Sequence, residues 1–185
     1  MRLFIAILLG SEFRSHLLQL QDTLRKRISG VSWTKPQNLH LTLKFLGEVK
    51  ESRLDEIRLA MRKISLTQRT QIQSIAVDAF PPRGQPRILI AKIDPQEPLR
   101  QLASDIDACC AQLGFPREDR PFTPHITLAR ARQRLRSSLR TEIAQDVSDK
   151  FPGPSMEIHE MILFQSNLQS SGPIYSPIER FIFNC

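Results

Sequence analysis

His40-Leu41-Thr42-Leu43 and His125-Ile126-Thr127-Leu128 are the two stretches on which the fold turns. They stand 85 residues apart. The same spacing relates Arg2-Leu3-Phe4-Ile5-Ala6-Ile7 to Arg87-Ile88-Leu89-Ile90-Ala91-Lys92, and also Leu17 to Leu102 and Pro36 to Pro121. A chance likeness of two apolar strands explains one such pair but not a shared, gap-free register from residue 2 to residue 43. The pattern predicts a duplication, with halves of about 1–84 and 85–185 related by a pseudo-twofold axis within one bilobal domain over 1–185. Two copies are too few for a solenoid.

The element order supports the repeat. Leu3 to Leu9 reads as a buried strand. Phe13, Leu17, Leu20, Leu24 and Ile28 step at helical spacing, with Ser11 as N-cap and Gly30 as stop. A strand follows at 39–46, then a helix over Ser52 to Ile64 opened by a Ser52-x-x-Asp55 capping box. Strands at 72–77 and 87–93 flank a turn rich in proline. The second copy runs through a helix carrying Leu99, Leu102, Ile106, Cys110 and Leu113, a loop to Pro124 and a strand at 125–129. A helix near 137–147 and strands near 156–165 and 174–183 complete it. The fold class expected is α+β: two mostly antiparallel sheets with flanking helices around a central cleft, with strand exchange between halves a common outcome.

Alternation in a strand places His40, Thr42 and Lys44 on one face, and Leu39, Leu41, Leu43 and Phe45 on the other. His125 and Thr127 pair in the same way over Ile126 and Leu128. With a pseudo-twofold axis between the strands, two imidazoles and two hydroxyls converge. An imidazole titrates near pH 6.5, so one can act as base while the other acts as acid on opposite sides of a phosphorus. Thr42 and Thr127 can hold the non-bridging phosphate oxygens. His16, in a helix, and His159, in a late strand, lie outside the repeat and read as ordinary.

Composition narrows the alternatives. With 41% hydrophobic and 24% charged residues the chain can bury a core. The net charge of +7 suits a polyanionic partner. No run approaches a membrane span. The first apolar stretch is short for a signal peptide and lacks a cleavage site, so no membrane partner is expected. Cys109, Cys110 and Cys185 suit neither a disulfide framework nor a metal spacing, and reduced thiols in the cytoplasm are expected. No P-loop, H-E-x-x-H or G-x-S-x-G occurs, so neither a metal nor a cofactor is expected.

The two H-x-T-hydrophobic motifs resemble the signature of the two-histidine (2H) phosphoesterases. Within them the chain is similar to the RNA 2′,3′-cyclic phosphodiesterase family, which is bacterial 2′-5′ RNA ligase-like. The likeness extends to Arg2–Ala6, Asn38–Val49, Pro124–Arg130, Phe80-Pro81 with Pro86-Arg87, and Tyr175. It implies one H-x-T strand per lobe. It implies hydrolysis of the 2′,3′-cyclic phosphate at an RNA end to a 2′-phosphate, with ATP-independent 2′-5′ ligation as a reverse activity. It implies a monomer acting on RNA ends, tRNA fragments among them. By the same resemblance His40 is the proton donor, His125 the proton acceptor, and Arg130 a phosphate ligand lining the cleft.

Strand parity, however, puts Arg130 with Ile126 and Leu128, so it reaches phosphate only if the strand ends or bulges near Ala129. Lys44 reads as a solvated surface lysine. Phe80 can stack a base, core packing being an equal alternative. The run Arg130, Arg132, Arg134 and Arg136 suits an RNA backbone or a solvated segment. Two other functions fit the same features: a non-catalytic basic RNA-binding module, and a 2H enzyme acting on another cyclic nucleotide or on 2′-5′ oligonucleotides.

Overall fold

Most of the apolar runs and helical stripes fold as their periods predict. The structure is a computed structural model that describes residues 1–66, 68–133, 135–136, 138–170 and 172–183. In chain order its elements are β1 (Arg2–Leu8), α1 (Ser11–Arg25), β2 (Val31–Trp33), β3 (His40–Glu48), α2 (Leu54–Met61) and β4 (Gln71–Phe80). Then come β5 (Ile88–Asp94), α3 (Gln96–Gln112), β6 (His125–Ala131), α4 (Leu139–Asp146), β7 (Ser155–Glu157), β8 (Glu160–Gln169) and β9 (Gly172–Ile182). The 85-residue spacing recurs at α2 and α4, whose first residues are Leu54 and Leu139 and whose last are Met61 and Asp146.

Three local readings change. The strand expected at 156–165 divides into β7 and β8. The short β2 was not legible, because three residues carry no period; it exists through its pairing with β6. Neither Ser11 nor Ser52 caps a helix. Gly10 holds the cap position of α1 in extended backbone, so Ser11 is already helical, and Ser52 lies in a 3-10 turn. Cys185 and Arg134 lie outside the described residues.

The strands form one curled antiparallel sheet in the order β7-β4-β5-β6-β3-β1-β8-β9, with β2 on β6. The two sheets expected are thus halves of a single sheet. The halves have also exchanged strands. β4 follows α2 in the first copy but pairs with β5 of the second. β8 follows α4 in the second copy but pairs with β1 of the first. The two H-x-T strands themselves, β3 of the first copy and β6 of the second, pair at Leu41 with Ile126. The H-x-T strands therefore lie side by side at the centre of the sheet.

One face of this sheet is covered by helices. Phe13, Leu17, Leu20 and Leu24 of α1 and Leu99, Leu102, Ile106 and Cys110 of α3 join Leu41, Ile126 and Leu128 in one core. Each such side chain contributes roughly 1.5–3 kcal/mol on burial. The opposite face carries a small separate cluster of Phe4, Ala6, Ile162 and Phe164 and is otherwise open. The polar residues of both motifs lie on that open face.

Candidate active site

Two bulges aim the site. In β3, Ile5 pairs with Lys44 and Ala6 with Thr42, which leaves Leu43 as the extra residue. In β6, Leu89 pairs with Ala129 and Ile90 with Thr127, which leaves Leu128 extra. These are equivalent positions in the two copies. Each bulge inverts the alternation beyond it. Lys44 and Ala129 turn inward, and Phe45 and Arg130 turn into the cleft. The condition for Arg130 to reach the cleft is thus met. The reading of Phe45 as an inward side chain is overturned: it is 58% exposed.

Lys44 is likewise not a surface lysine. Its side chain is 3% exposed. Its Nζ donates to Asp107 Oδ1 at 2.7 Å, to the Pro116 carbonyl at 2.8 Å and to Glu118 Oε1 at 3.3 Å. Burial pulls the ammonium pKa down, but hydrogen bonds and charge from Asp107 and Glu118 outweigh it and leave the pKa raised. Burial likewise pushes Asp107 up, and Lys44, the Glu118 N–H and Arg117 override it to hold the carboxyl low. The other bulge has its own tie. Gln21 of α1 is fully buried and donates Nε2 to the Leu128 carbonyl at 2.8 Å and the Thr34 carbonyl at 3.0 Å. Each bulge is therefore held from the core side by a polar side chain on the helix of the other copy.

The register around Leu41 and Ile126 sets His40 across from Thr127, and Thr42 across from His125. The histidines are fixed alike. Nδ1 of His40 bonds the Asn38 carbonyl at 2.7 Å, and Nδ1 of His125 bonds the Thr123 carbonyl at 2.7 Å. A carbonyl can only accept, so each Nδ1 carries the hydrogen and Nε2 is left for proton transfer. Each ring also meets one aromatic edge-on: Tyr175 on His40 at 5.2 Å, and Phe80 on His125 at 5.1 Å. Phe4 adds a second contact to His40 at 5.1 Å.

Both imidazoles have pKa values below the ordinary 6.5. Desolvation is the main cause for each. The carbonyl at Nδ1 opposes it, and Arg130 adds to the lowering of both. His40 is lowered further by His125.

His40, Thr42, His125, Thr127 and Arg130 line one cleft of about 340 Å³, large enough for one nucleotide end. Among the described residues its lining holds no acidic side chain, and Arg2, Phe45 and Tyr175 belong to it. Phe80 does not; it is engaged with His125. Arg132 and Arg136 are exposed outside the cleft, and Arg136 pairs with Glu142. Among the described residues no group of three or more His, Cys, Asp or Glu is placed to hold a metal, and no helix is long and apolar enough to cross a membrane. Phe45 and Arg2 escaped the sequence reading. The equivalence of Phe45 to Arg130 under the 85-residue spacing was the signal that could have found the first.

A pair of H-x-T strands that turns two imidazoles into one cleft places the molecule among the two-histidine phosphoesterases. The sequence pattern of the LigT like Phosphoesterase family matches it twice, over residues 7–90 and 92–175. The chain belongs to that family. A protein from Archaeoglobus fulgidus named RNA 2′,3′-cyclic phosphodiesterase is 33% identical over 184 residues, spanning 98% of this chain and 99% of its own. One of the same name from Thermus thermophilus is 34% identical over 188 residues, spanning 98% and 89%. A crystal structure from Thermus thermophilus superposes with a TM-score of 0.79 at 30% identity, covering 99% of this chain and 98% of its own. Escherichia coli LigT, crystallised with 3′-AMP, gives 0.76 at 25% identity, covering 100% and 98%.

Proposed function

We propose that this protein hydrolyses the 2′,3′-cyclic phosphate at the end of an RNA to a 2′-phosphate, without a metal or cofactor. The observation that carries this is the matched pair of imidazoles, each tied through Nδ1 to a backbone carbonyl, on either side of a cleft with no acidic lining. The names of relatives that span the whole chain support it.

Water attacks phosphorus while Nε2 of the acceptor histidine takes its proton. The P–O3′ bond breaks, and the donor histidine protonates the departing 3′ oxygen. Thr42, Thr127 and Arg130 hold the non-bridging oxygens and the charge that builds on them. A 5′-hydroxyl in place of water gives a 2′-5′ linkage without ATP, because the strained ring supplies the driving force. Phe45, rather than Phe80, presents an open ring to the base. One chain supplies every residue of the cleft, so a monomer suffices for the activity. The free thiols of Cys109 and Cys110 suit the cytoplasm.

The test is an RNA oligonucleotide with a 2′,3′-cyclic end, incubated with EDTA and followed by phosphorus NMR. A 2′-phosphate product is expected. A 3′-phosphate product, no product, or dependence on added metal overturns the proposal. Salt-sensitive binding without turnover would instead identify an RNA-binding module.

The lowered histidine pKa values make a pH prediction. The acceptor must be neutral, so the acid limb of kcat/KM lies below pH 6.5. The donor must be protonated, and in the free enzyme it loses its proton easily. A bound phosphate anion favours the imidazolium and raises the donor pKa. The alkaline limb of kcat is therefore expected at higher pH than that of kcat/KM. Coincident limbs would show that the histidines do not sense the phosphate. The donor assignment, His40 by resemblance, is read from residual activity: the variant lacking the donor loses its alkaline limb.

Replacing Arg130 by methionine is expected to lower kcat and kcat/KM together by roughly 10²-fold, as for loss of a group that meets transition-state charge. A rise in KM alone would move Arg130 from the reacting phosphate to the rest of the substrate.

A further inference from the structure

Beyond the reacting phosphate, we infer that the cleft holds a second anion subsite at Arg2, which takes the phosphate 5′ to the terminal nucleoside and so distinguishes an RNA end from a free cyclic mononucleotide. This rests on the reading that the substrate is a cyclic phosphate end.

The geometry runs along β1. Ala6 pairs with Thr42, Phe4 with Phe45, and Arg2 with Glu48, so these side chains form successive rows on the cleft face. Alternate α-carbons on a strand lie roughly 6.6 Å apart. The row of the motif threonine and the row of Arg2 thus lie roughly 13 Å apart at the backbone, with the open Phe45 ring between them, and a long arginine side chain can span the difference to a phosphate one nucleoside from the first.

Arg2 is exposed and lines the cleft. Among the described residues it makes no ion pair. Its cross-strand neighbour Glu48 is turned to the N-terminal ammonium at 3.7 Å instead. Burial raises the pKa of Tyr175, which packs on His40, and the charges of Arg130 and Arg2 both oppose that rise, so both cations are near this tyrosine.

This end of the cleft is walled and the other is not. Ser166, Leu168 and Pro173 of the β8–β9 hairpin line it, and Ser166 stands directly across from Arg2. Asn38 ties the hairpin down by donating Nδ2 to the Pro173 carbonyl at 2.8 Å, while its own carbonyl holds His40. In the other half the corresponding outer strand, β7, has three residues and pairs only with Gln71–Gln73, at the opposite end of β4 from Phe80 and the row of Arg130. Arg87, the duplicate of Arg2, does not line the cleft. The subsite therefore belongs to one end only and gives the bound strand a direction.

The experiment compares adenosine 2′,3′-cyclic phosphate with and without a 5′-phosphate. In the wild type, kcat/KM is expected to favour the 5′-phosphorylated compound by at least tenfold, with a preference that shrinks as salt rises. Arg2→Gln is expected to reduce that ratio to near one, and Arg2→Lys to restore part of it. Equal rates in the wild type, or an unaltered ratio in Arg2→Gln, overturn the subsite. Calorimetric binding of the two compounds reads the same preference without turnover. An absence of hydrolysis with the binding preference intact thus counts against the phosphodiesterase reading alone, and equal binding counts against the subsite.

Discussion

His40→Ala and His125→Ala are each expected to lower turnover of a 2′,3′-cyclic RNA end by roughly 10²–10⁴-fold while the protein remains folded. In the proposed mechanism each imidazole serves one proton transfer, and neither has a substitute in the cleft lining. The cleft lining offers arginine, threonine, asparagine, serine and tyrosine, none of which titrates near neutrality without a partner. The double variant is expected to lose little more than the worse single one, because the two transfers serve one displacement.

Folding provides the control. His40 and His125 are part-buried and bonded to local carbonyls, so their loss leaves the helix-covered core intact. Their lowered pKa values add a signature. Below pH 6.5 the unfolded chain binds protons that the folded site resists, so the wild type loses stability as pH falls from 6.5 through the folded-state values. His16 adds to this, its pKa lowered by burial and Lys150. Each alanine variant is expected to show a shallower acid loss in thermal melts. Wild-type turnover in either folded variant would refute the two-histidine mechanism.

Asp107→Ala is expected to destabilise the protein by about 3 kcal/mol, because breaking a buried pair strands the remaining charge. Lys44 would keep the Pro116 carbonyl and Glu118, but Glu118 is 59% exposed and cannot replace a carboxylate at 2.7 Å. The pair is not itself a large source of stability, since desolvation offsets much of the attraction. Lys44→Met combined with Asp107→Leu is therefore expected to recover most of the loss in urea titrations. A loss under about 0.5 kcal/mol for Asp107→Ala, the range of an ordinary surface change, would show that the pair is solvated.

These expectations divide by where their grounds could be read. The chemistry proposed for the site was legible in the sequence, since it is drawn from the residue types of His40, Thr42, His125 and Thr127 and their spacing of two. The duplication was legible too, because gap-free copies preserve register. The helices were found by their apolar stripes, their ends being less accurate because capping depends on backbone at the junction, as Gly10 and Ser11 show.

Straight alternation misplaces Phe45, Lys44 and Arg130 alike; for Arg130 the sequence only states the condition, a bulge near Ala129, that the strand meets. Alternation holds only while a strand gains one partner per residue. At Leu43 and Leu128 the neighbouring strands β1 and β5 skip a residue, and parity inverts. Those partners lie dozens of residues away, so no local window contains the information.

By itself the sequence determined two copies, two H-x-T strands and the acid-base chemistry they can perform, because residue identity and short periods are local. Only the tertiary structure decided which strands the copies exchange, which end of the cleft is walled, and that Phe45 and Arg130 face the cleft while Lys44 is buried. Those outcomes follow from pairing and burial between distant segments, where a one-residue shift in register moves a side chain from one face of the sheet to the other.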